Sequence, residues 1–392
     1  MIPRILAPKI LQIAAQFLIV ALIGPRESGK TTLARTIFPN HRYVTLENPK
    51  IKAFAINDPK GFLALHKNDY GIIIDEVQNA PDLLPYIQEI VDANPIPEYF
   101  VLISSQNFLF NERVSQSLAG RIALFTLLPL AQDELKATGN LPSDFVRTVF
   151  KGAYPRIYDE NLSPTDWYPG YIRTYLERDV RLMKNVGDLS TFQHFLKLCA
   201  GRIGQLVNLT SLANDCGISV PTVKSWLSIL EASYIIFQLQ PHYQNFSKRL
   251  IKSSKIYFYD TGLACSLLDI DSAEQLSTHY LRGGLFESYV ISEIIKTYYN
   301  VGRMPRCYFW RDKNGNEVDC LLEKGIALTP IEIKAGQTIN SDYFKGLLYW
   351  NNLSNTLPKD NIVIYGGSQS QTRSNGYVFA WNDFTDHIKT LL

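Results

Sequence analysis

QFLIVALIGPRESGKTTLARTIF, residues 16–38, decides the fold. An apolar run from Phe17 to Ile23 passes directly into a glycine loop and then into a stretch that reads as a helix. A strand buried on both faces of a parallel sheet looks like this, because neither face alternates with water. The loop, Gly24-Pro25-Arg26-Glu27-Ser28-Gly29-Lys30-Thr31-Thr32, contains GxxxxGK[ST] in full and sits between strand and helix as that motif requires. Its glycines let successive backbone N–H groups turn inward at phosphate oxygens, and the helix adds its positive N-terminal end. Lys30 then reaches the β- and γ-phosphates, and the Thr31 hydroxyl ligates Mg²⁺. The alternative is a chance glycine turn, which the flanking strand and helix disfavour. The same context argues against a secretory leader in the opening residues. The apolar run is too short to cross a bilayer and no small-residue cleavage site follows it, so no membrane partner is expected.

Hydrolysis of a nucleotide asks for a second hydrophobic strand ending in an acid, and YGIIIDEVQNAP from Tyr70 supplies one. Asp75 is placed to hold the hydration shell of the metal, and Glu76 to polarise the attacking water as general base. A third strand, YFVLISSQN from Tyr99, ends in Ser104, Ser105, Gln106 and Asn107, where a group sensing the γ-phosphate belongs. Polar residues close most strands, so this third signal is the softest. ATP and Mg²⁺ are the expected cofactors.

A chain of 392 residues implies two or three domains. Lys plus Arg number 39 against 37 Asp plus Glu, so affinity for nucleic acid has to come from a local patch. Cysteines at 199, 216, 265, 307 and 320 form no CxxC pair, and the 6 histidines form no HxxxH pair. That pattern argues against a disulfide framework or a zinc site and for the cytoplasm.

Taken together, the chain resembles the AAA+-like P-loop ATPases of the AAA_14/DUF4143 type, prokaryotic proteins that join an ATPase module to a nuclease-like C-terminal domain. The resemblance spans nearly the whole chain. It rests on GPRESGKTTL, RYVTLENP at Arg42, IIIDEVQNAPDLLPYIQ, SSQNFLF, SLAGRIALFTLLPL at Ser117, YIRTYLERDV at Tyr171, FYDTGLA at Phe258, LFESYV at Leu285, NEVDCLL and PIEIKAG. Two departures stand out: Ser104-Ser105-Gln106 where the family usually shows Thr-Gly-Ser-Gln, and Glu27 where Gln is common. An arginine from a neighbouring subunit could complete the ATPase by stabilising charge on the transferred phosphoryl group. Arg121 is the first candidate, followed by Arg178 and Arg181, and each has the plain alternative of a surface ion pair. A finger acting in trans implies a homo-oligomer.

Beyond about residue 150 the strand–helix alternation gives way to helical periodicity. Residues 1–145 read as the ATPase domain, 146–200 as a helical lid, 201–270 as a winged helix-turn-helix and 271–392 as a nuclease-like domain. NLTSLANDCGISVPTVKSWLSILEASYIIFQLQP offers a helix, a turn at Gly217, a second helix and a strand. Ser219, Thr222 and Lys224 would face a DNA groove, with Lys248, Arg249, Lys252 and Lys255 on phosphates. The same module also serves as a rigid lid or a protein-binding surface.

In NGNEVDCLLEKGIALTPIEIKAG, Asp319 falls on one strand and Glu332-x-Lys334 on the next, joined by a turn around Gly325. Carboxylates on adjacent strands can share one Mg²⁺, with the Ile333 carbonyl as a further ligand and Lys334 easing the negative charge of a phosphorane. Glu287, upstream on a helix, would complete the set. This resembles the PD-(D/E)XK nuclease superfamily, and it also suits a domain that holds DNA without cutting it. The fold expected is α/β: a P-loop ATPase parallel sheet with a helical lid, a winged helix-turn-helix and a C-terminal α/β restriction-endonuclease-like domain. The function expected is ATP hydrolysis driving or switching a DNA-binding, nuclease-like region. An ATP-controlled signalling or defence switch that binds a protein partner is the competing reading.

Overall fold

A computed structural model describes residues 2–106, 118–175, 188–242 and 253–392. Asn107, Arg178, Arg181, Lys248, Arg249 and Lys252 lie outside the described residues. The chain divides into two compact units, one formed by Met1–Leu130, Ala232–Tyr234 and Tyr299–Arg303, the other by Ala131–Glu231, Ile235–Tyr298 and Met304–Leu392.

In the first unit the apolar runs become strands: β1 (Ile19–Ile23), β2 (Arg42–Thr45), β3 (Ile72–Asp75), β4 (Phe100–Ser104) and β5 (Ile122–Thr126). Every neighbouring pair is parallel, in the order β2-β3-β4-β1-β5. All residues of β1, β3 and β4 are buried, which is why these strands carry unbroken Ile, Val and Leu instead of an alternating pattern. Val20, Leu22, Ile73, Val101 and Ile103 pack against Ile10 and Ala14 of the helix Ala7–Ala14 and Leu33 and Ala34 of the helix Lys30–Ile37. The chain leaves β1 for β2 on one side and returns through β5 on the other. β1 is therefore the switch point, where open parallel sheets bind ligands at the carboxyl ends of their strands. Because β4 lies between β1 and β3, the ends of the three strands are immediate neighbours: Gly24, then Ser104 and Ser105, then Asp75 and Glu76.

The second unit begins with helices Gln132–Ala137, Phe145–Lys151, Pro155–Asp159, Pro164–Tyr175 and Leu189–Ala200. The helices Leu209–Cys216 and Val220–Ala232 follow, joined through Gly217, whose φ of 68° suits a residue without Cβ. β6 (Ile236–Leu239) and β7 (Lys255–Phe258) pair antiparallel. After the helix Arg282–Asn300 comes a mixed six-stranded sheet of β8 (Cys307–Arg311), β9 (Glu317–Lys324), β10 (Ala327–Lys334), β11 (Ile362–Tyr365), β12 (Gln371–Arg373) and β13 (Gly376–Ala380), in the order β12-β13-β11-β10-β9-β8. β8, β9 and β10 form an antiparallel meander, and β11 joins β10 in parallel after the helix Lys345–Ser354. Trp310, Leu321, Leu347, Trp350, Val363 and Val378 share its core. The loop near Gly366 closes as the exposed hairpin β12–β13. Among the described residues no helix is long and apolar enough to cross a membrane.

One buried carboxylate ties the helical part of this unit together. Asp260, 3% exposed, accepts hydrogen bonds from Leu263 N (2.8 Å), Ala153 N (2.7 Å) and the Tyr168 hydroxyl (2.7 Å). Its loss leaves two amides without an acceptor, at about 1–3 kcal/mol each, and the Tyr168 phenol with the Lys151 carbonyl at 3.2 Å in place of a carboxylate. Asp260→Ala is expected to destabilise the second unit by about 3 kcal/mol or more. Urea denaturation checks this, and an unchanged midpoint would show that the node is dispensable.

Candidate nucleotide site and carboxylate cluster

The loop after β1 has the backbone its sequence demands. Gly24 (φ 148°) and Gly29 (φ 89°) take conformations open to glycine, and a Cβ on Gly24 would sit 2.2 Å from the Leu127 carbonyl oxygen. Glu27 also lies at positive φ (60°), a strained geometry for a side-chain-bearing residue, of the kind that clusters where backbone amides are aimed at a ligand. Lys30 is buried and donates to the loop's own carbonyls, Gly24 O at 2.9 Å and Pro25 O at 2.6 Å. Burial lowers its ammonium to about 8, against the opposing pull of Glu76 and Asp75. Ser28 Oγ is buried without a hydrogen-bond partner, and Arg26 pairs with Glu47 at 3.5 Å. Thr31 is the second residue of the helix that follows, and Thr32 is exposed.

Asp75 and Glu76 close β3 facing this loop. Asp75 Oδ2 accepts from Thr31 Oγ1 (2.7 Å) and from the Tyr43 hydroxyl (2.8 Å). Burial pushes its carboxyl above the ordinary range, and those two hydrogen bonds draw it back. Glu76 takes a left-handed conformation (φ 57°), and its Oε2 accepts from Ser105 Oγ at 2.8 Å and from Gln78 Nε2. Ser105 thus touches the acid named as general base, while Ser104 Oγ donates to Gln106 O within the turn. The residues present fit a magnesium-bound nucleotide: a glycine cradle, a lysine at its floor, and a hydroxyl with a carboxylate side by side.

Arg4, Tyr43 and Gln78 were not singled out from the sequence. Arg4 donates to Ser28 O and to Leu128 O, both at 2.6 Å, and so clamps the phosphate loop from a segment 24 residues upstream. No spacing rule announces such a contact, although the basic residue ahead of the strand was visible. Arg121, the first candidate for a finger, makes the plain surface pair instead, with Nε 2.5 Å and Nη2 2.9 Å from the Asp92 carboxylate. It precedes β5 at the end of the sheet opposite the loop, about 15 Å from its own site at about 3.3 Å per strand residue.

In the second unit the antiparallel register sets Ile331 against Cys320, which places Glu332 opposite Asp319. Asp319 Oδ2 accepts from Ile333 N at 2.8 Å, and Lys334 Nζ stands 2.5 Å from Glu332 Oε1 and 3.6 Å from Asp319 Oδ2. Burial raises the Glu332 carboxyl to about 8, with Asp319 adding to the shift and Lys334 opposing it. Its Oε2 is buried without a hydrogen-bond partner. Glu287, part-buried on the helix Arg282–Asn300, accepts from the Tyr257 hydroxyl (2.5 Å) and from Lys255 Nζ (2.9 Å).

Lys255 corrects the sequence reading. Expected on a DNA phosphate, it is 3% exposed and paired with both Glu287 and Glu317. Burial opposes its charge, yet Glu287, Asp319 and Glu317 together hold the ammonium above its ordinary range. Ser219 caps the helix Val220–Ala232, its hydroxyl accepting from Thr222 N at 3.2 Å, and Lys224 is exposed. Among the described residues no three His, Cys, Asp or Glu side chains form a metal-binding group.

A family model described as an AAA domain matches residues 16–136, and two described as domains of unknown function, DUF8612 and DUF4143, match 142–274 and 282–384. Uncharacterized proteins of Mycobacterium tuberculosis and Mycobacterium bovis are each 32% identical over 330 residues, covering 82% of this chain and 71% of theirs. Among solved structures, a Walker-type ATPase of Pyrococcus abyssi is similar at 16% identity and TM-score 0.47, over 68% of this chain and 96% of that one. The RuvB Holliday junction branch migration motor of Thermotoga maritima is similar at 18% identity and TM-score 0.29, over 59% and 87%.

Lys30 makes the first site pH-dependent in a definite direction. The folded chain releases this proton near pH 8 while the unfolded chain keeps it to the ordinary lysine range, so stability rises with pH between those limits. Phosphates beside the ammonium favour its charged form, so nucleotide binding takes up protons at about pH 8 to 9 and weakens as pH climbs through that range. Calorimetric titration of ATP in buffers of different ionisation enthalpy counts those protons. No uptake, or the same uptake in Lys30→Met, contradicts this.

Proposed function

The chain belongs to the AAA_14/DUF4143 family of P-loop ATPases, and we propose that it binds ATP with Mg²⁺ at the loop after β1 and uses hydrolysis to drive or switch a DNA-contacting second half. The observation that carries this reading is the meeting of three neighbouring strand ends, with Thr31 on Asp75 and Ser105 on Glu76. Gly24, Pro25, Arg26, Glu27, Ser28, Gly29 and Thr32 shape the cradle, and Lys30 exchanges its carbonyl partners for β- and γ-phosphate oxygens. Thr31 and Asp75 are the residues that would hold Mg²⁺, which when bound neutralises charge on the transferring group. Glu76, oriented by Ser105 and Gln78, takes the proton of the attacking water. Arg121 lies too far to serve its own site, so a finger role requires a neighbouring copy of the chain.

For the remainder we propose the boundaries read from the sequence: an ATPase domain to 145, a helical lid to 200, a winged helix-turn-helix to 270 and a PD-(D/E)XK nuclease-like domain beyond, in a cytoplasmic protein. Two helices joined at Gly217 and followed by the pair β6–β7 support the winged helix. The helix–meander–helix–strand order around Asp319, Glu332 and Lys334 supports the nuclease-like core. One observation favours the second reading, an ATP-controlled switch that binds a protein and does not cleave: lysines already pair with every one of Glu287, Glu317, Asp319 and Glu332.

Lys30→Ala is expected to abolish ATP turnover by weakening binding. Glu76→Gln should preserve binding and lower kcat by about 10²-fold or more. Undiminished turnover in either variant removes the mechanism. Specific activity should also rise with protein concentration if Arg121 acts between subunits, and a flat profile argues against that. Incubation with Mg²⁺ or Mn²⁺ and labelled duplex, branched and single-stranded DNA tests cleavage. Products lost on Asp319→Ala support the nuclease, whereas binding without products in any metal favours the non-cleaving switch.

A further inference from the structure

Asp75 carries one hydrogen bond more than the phosphate loop and its own strand account for. Its Oδ1 accepts from Glu76 N (3.0 Å), and its Oδ2 accepts from two hydroxyls, Thr31 at 2.7 Å and Tyr43 at 2.8 Å. A carboxylate offers about four acceptor positions, two on each oxygen. The donors among the described residues therefore fill Oδ2 and leave one position, on Oδ1. Thr31 and Glu76 belong to the machinery already named, whereas Tyr43 comes from β2, the strand at the edge of the sheet.

The fold holds that phenol in place. In the parallel register Tyr43 stands beside Ile73, and side chains alternate along a strand, so Tyr43, Ile73 and Asp75 share one face of the sheet. The Tyr43 ring packs on the core formed with Leu33 and Ala34 of the helix Lys30–Ile37. The Arg35 guanidinium of the same helix lies 5.0 Å from the ring centroid. Thr31 and Arg35 are one helical turn apart and so lie on one side of that helix. One helix thus supplies the first hydroxyl on Asp75 Oδ2 and steadies the ring that supplies the second.

We infer that Tyr43 is a specificity-determining residue for the cation that accompanies the nucleotide: by filling Asp75 Oδ2 it leaves this carboxylate one oxygen for the cation's shell, which favours Mg²⁺ over Ca²⁺. The role rests on the reading of the loop after β1 as a nucleotide site. A single aimed acceptor suits Mg²⁺, which keeps most of its waters and needs them held. Ca²⁺ collects about six to eight oxygens and accepts a carboxylate by both of its oxygens at once. Asp75 cannot give that two-oxygen grip while Tyr43 and Thr31 occupy Oδ2. Removing the phenol frees a position on Oδ2 and loosens the aim of Oδ1, so the larger ion gains and the smaller one loses.

Calorimetric titration of the full chain with the β,γ-imido analogue of ATP, in Mg²⁺, in Ca²⁺ and in EDTA, tests this without turnover. Tyr43→Phe keeps the ring on its core and beneath Arg35. It should leave affinity in EDTA unchanged and weaken binding in Mg²⁺ relative to Ca²⁺ by about tenfold, the scale of one hydrogen bond to a charged group. In an Asp75→Asn background the same substitution should shift neither metal, because the phenol acts through that carboxylate. Equal losses in all three media show that Tyr43 only supports β2 and overturn the inference, as does an unchanged Mg²⁺-to-Ca²⁺ ratio. A shift that persists with Asp75→Asn overturns it too. A parent chain that takes up no nucleotide in any medium overturns the nucleotide reading itself, and the role of Tyr43 with it.

Discussion

A carboxylate buried at the end of a strand must be satisfied by something, and in the first unit Asp75 is satisfied by Thr31 and Tyr43. That requirement organises the ATPase half. The Thr31 hydroxyl belongs to the first turn after the glycine loop, so its hydrogen bond to Asp75 fixes the loop relative to β3, across the intervening β4. Tyr43 enters from β2 and anchors the same oxygen from the sheet edge. Three strands are thereby brought into register at one point, and Glu76, next along the chain, is turned by its left-handed backbone toward Ser105 on the strand between. The strain at Glu76 is tolerable because the buried strands on either side over-determine its position.

The second unit answers the same requirement with ammonium groups instead of hydroxyls. Buried ion pairs contribute little net stability, because desolvation offsets the attraction, but removing one partner is costly. Lys255, Asp319 and Glu332 are buried, whereas Glu287 and Glu317 are part-buried and Lys334 reaches solvent, so these pairs add little to the fold beyond keeping the buried charges partnered.

Much of this was readable in the chain. The loop after β1, the acids after Ile74 and the pair Asp319 with Glu332-x-Lys334 depend on residues within one strand and one turn, so local pattern carries them. Ser104 and Ser105 were located, but the role of Ser105 depends on β4 lying between β1 and β3, which no local signal encodes. Arg4 and Lys255 were beyond reach for a similar reason. Arg4 acts on carbonyls 24 and 124 residues away, and Lys255 on acids 32 and 62 residues away, separations at which sequence spacing says nothing about proximity. A lysine beside a basic run reads as surface unless the buried acids that hold it are known, and Arg121 likewise concealed its partner Asp92.

The two sites differ in what their lysines hold, and that difference sets how each can respond to a ligand. Lys30 donates to neutral carbonyls, Gly24 O and Pro25 O, so a phosphate offers its ammonium a stronger, charged partner and the exchange runs toward binding. Lys255 and Lys334 already hold carboxylates, so a cation arriving there must displace charge from charge in a low-dielectric setting and gains little unless the lysine is moved away. An arrangement with one receptive site and one self-neutralised site has a natural direction. The first site is receptive to a nucleotide, whereas the second is neutralised by its own lysines.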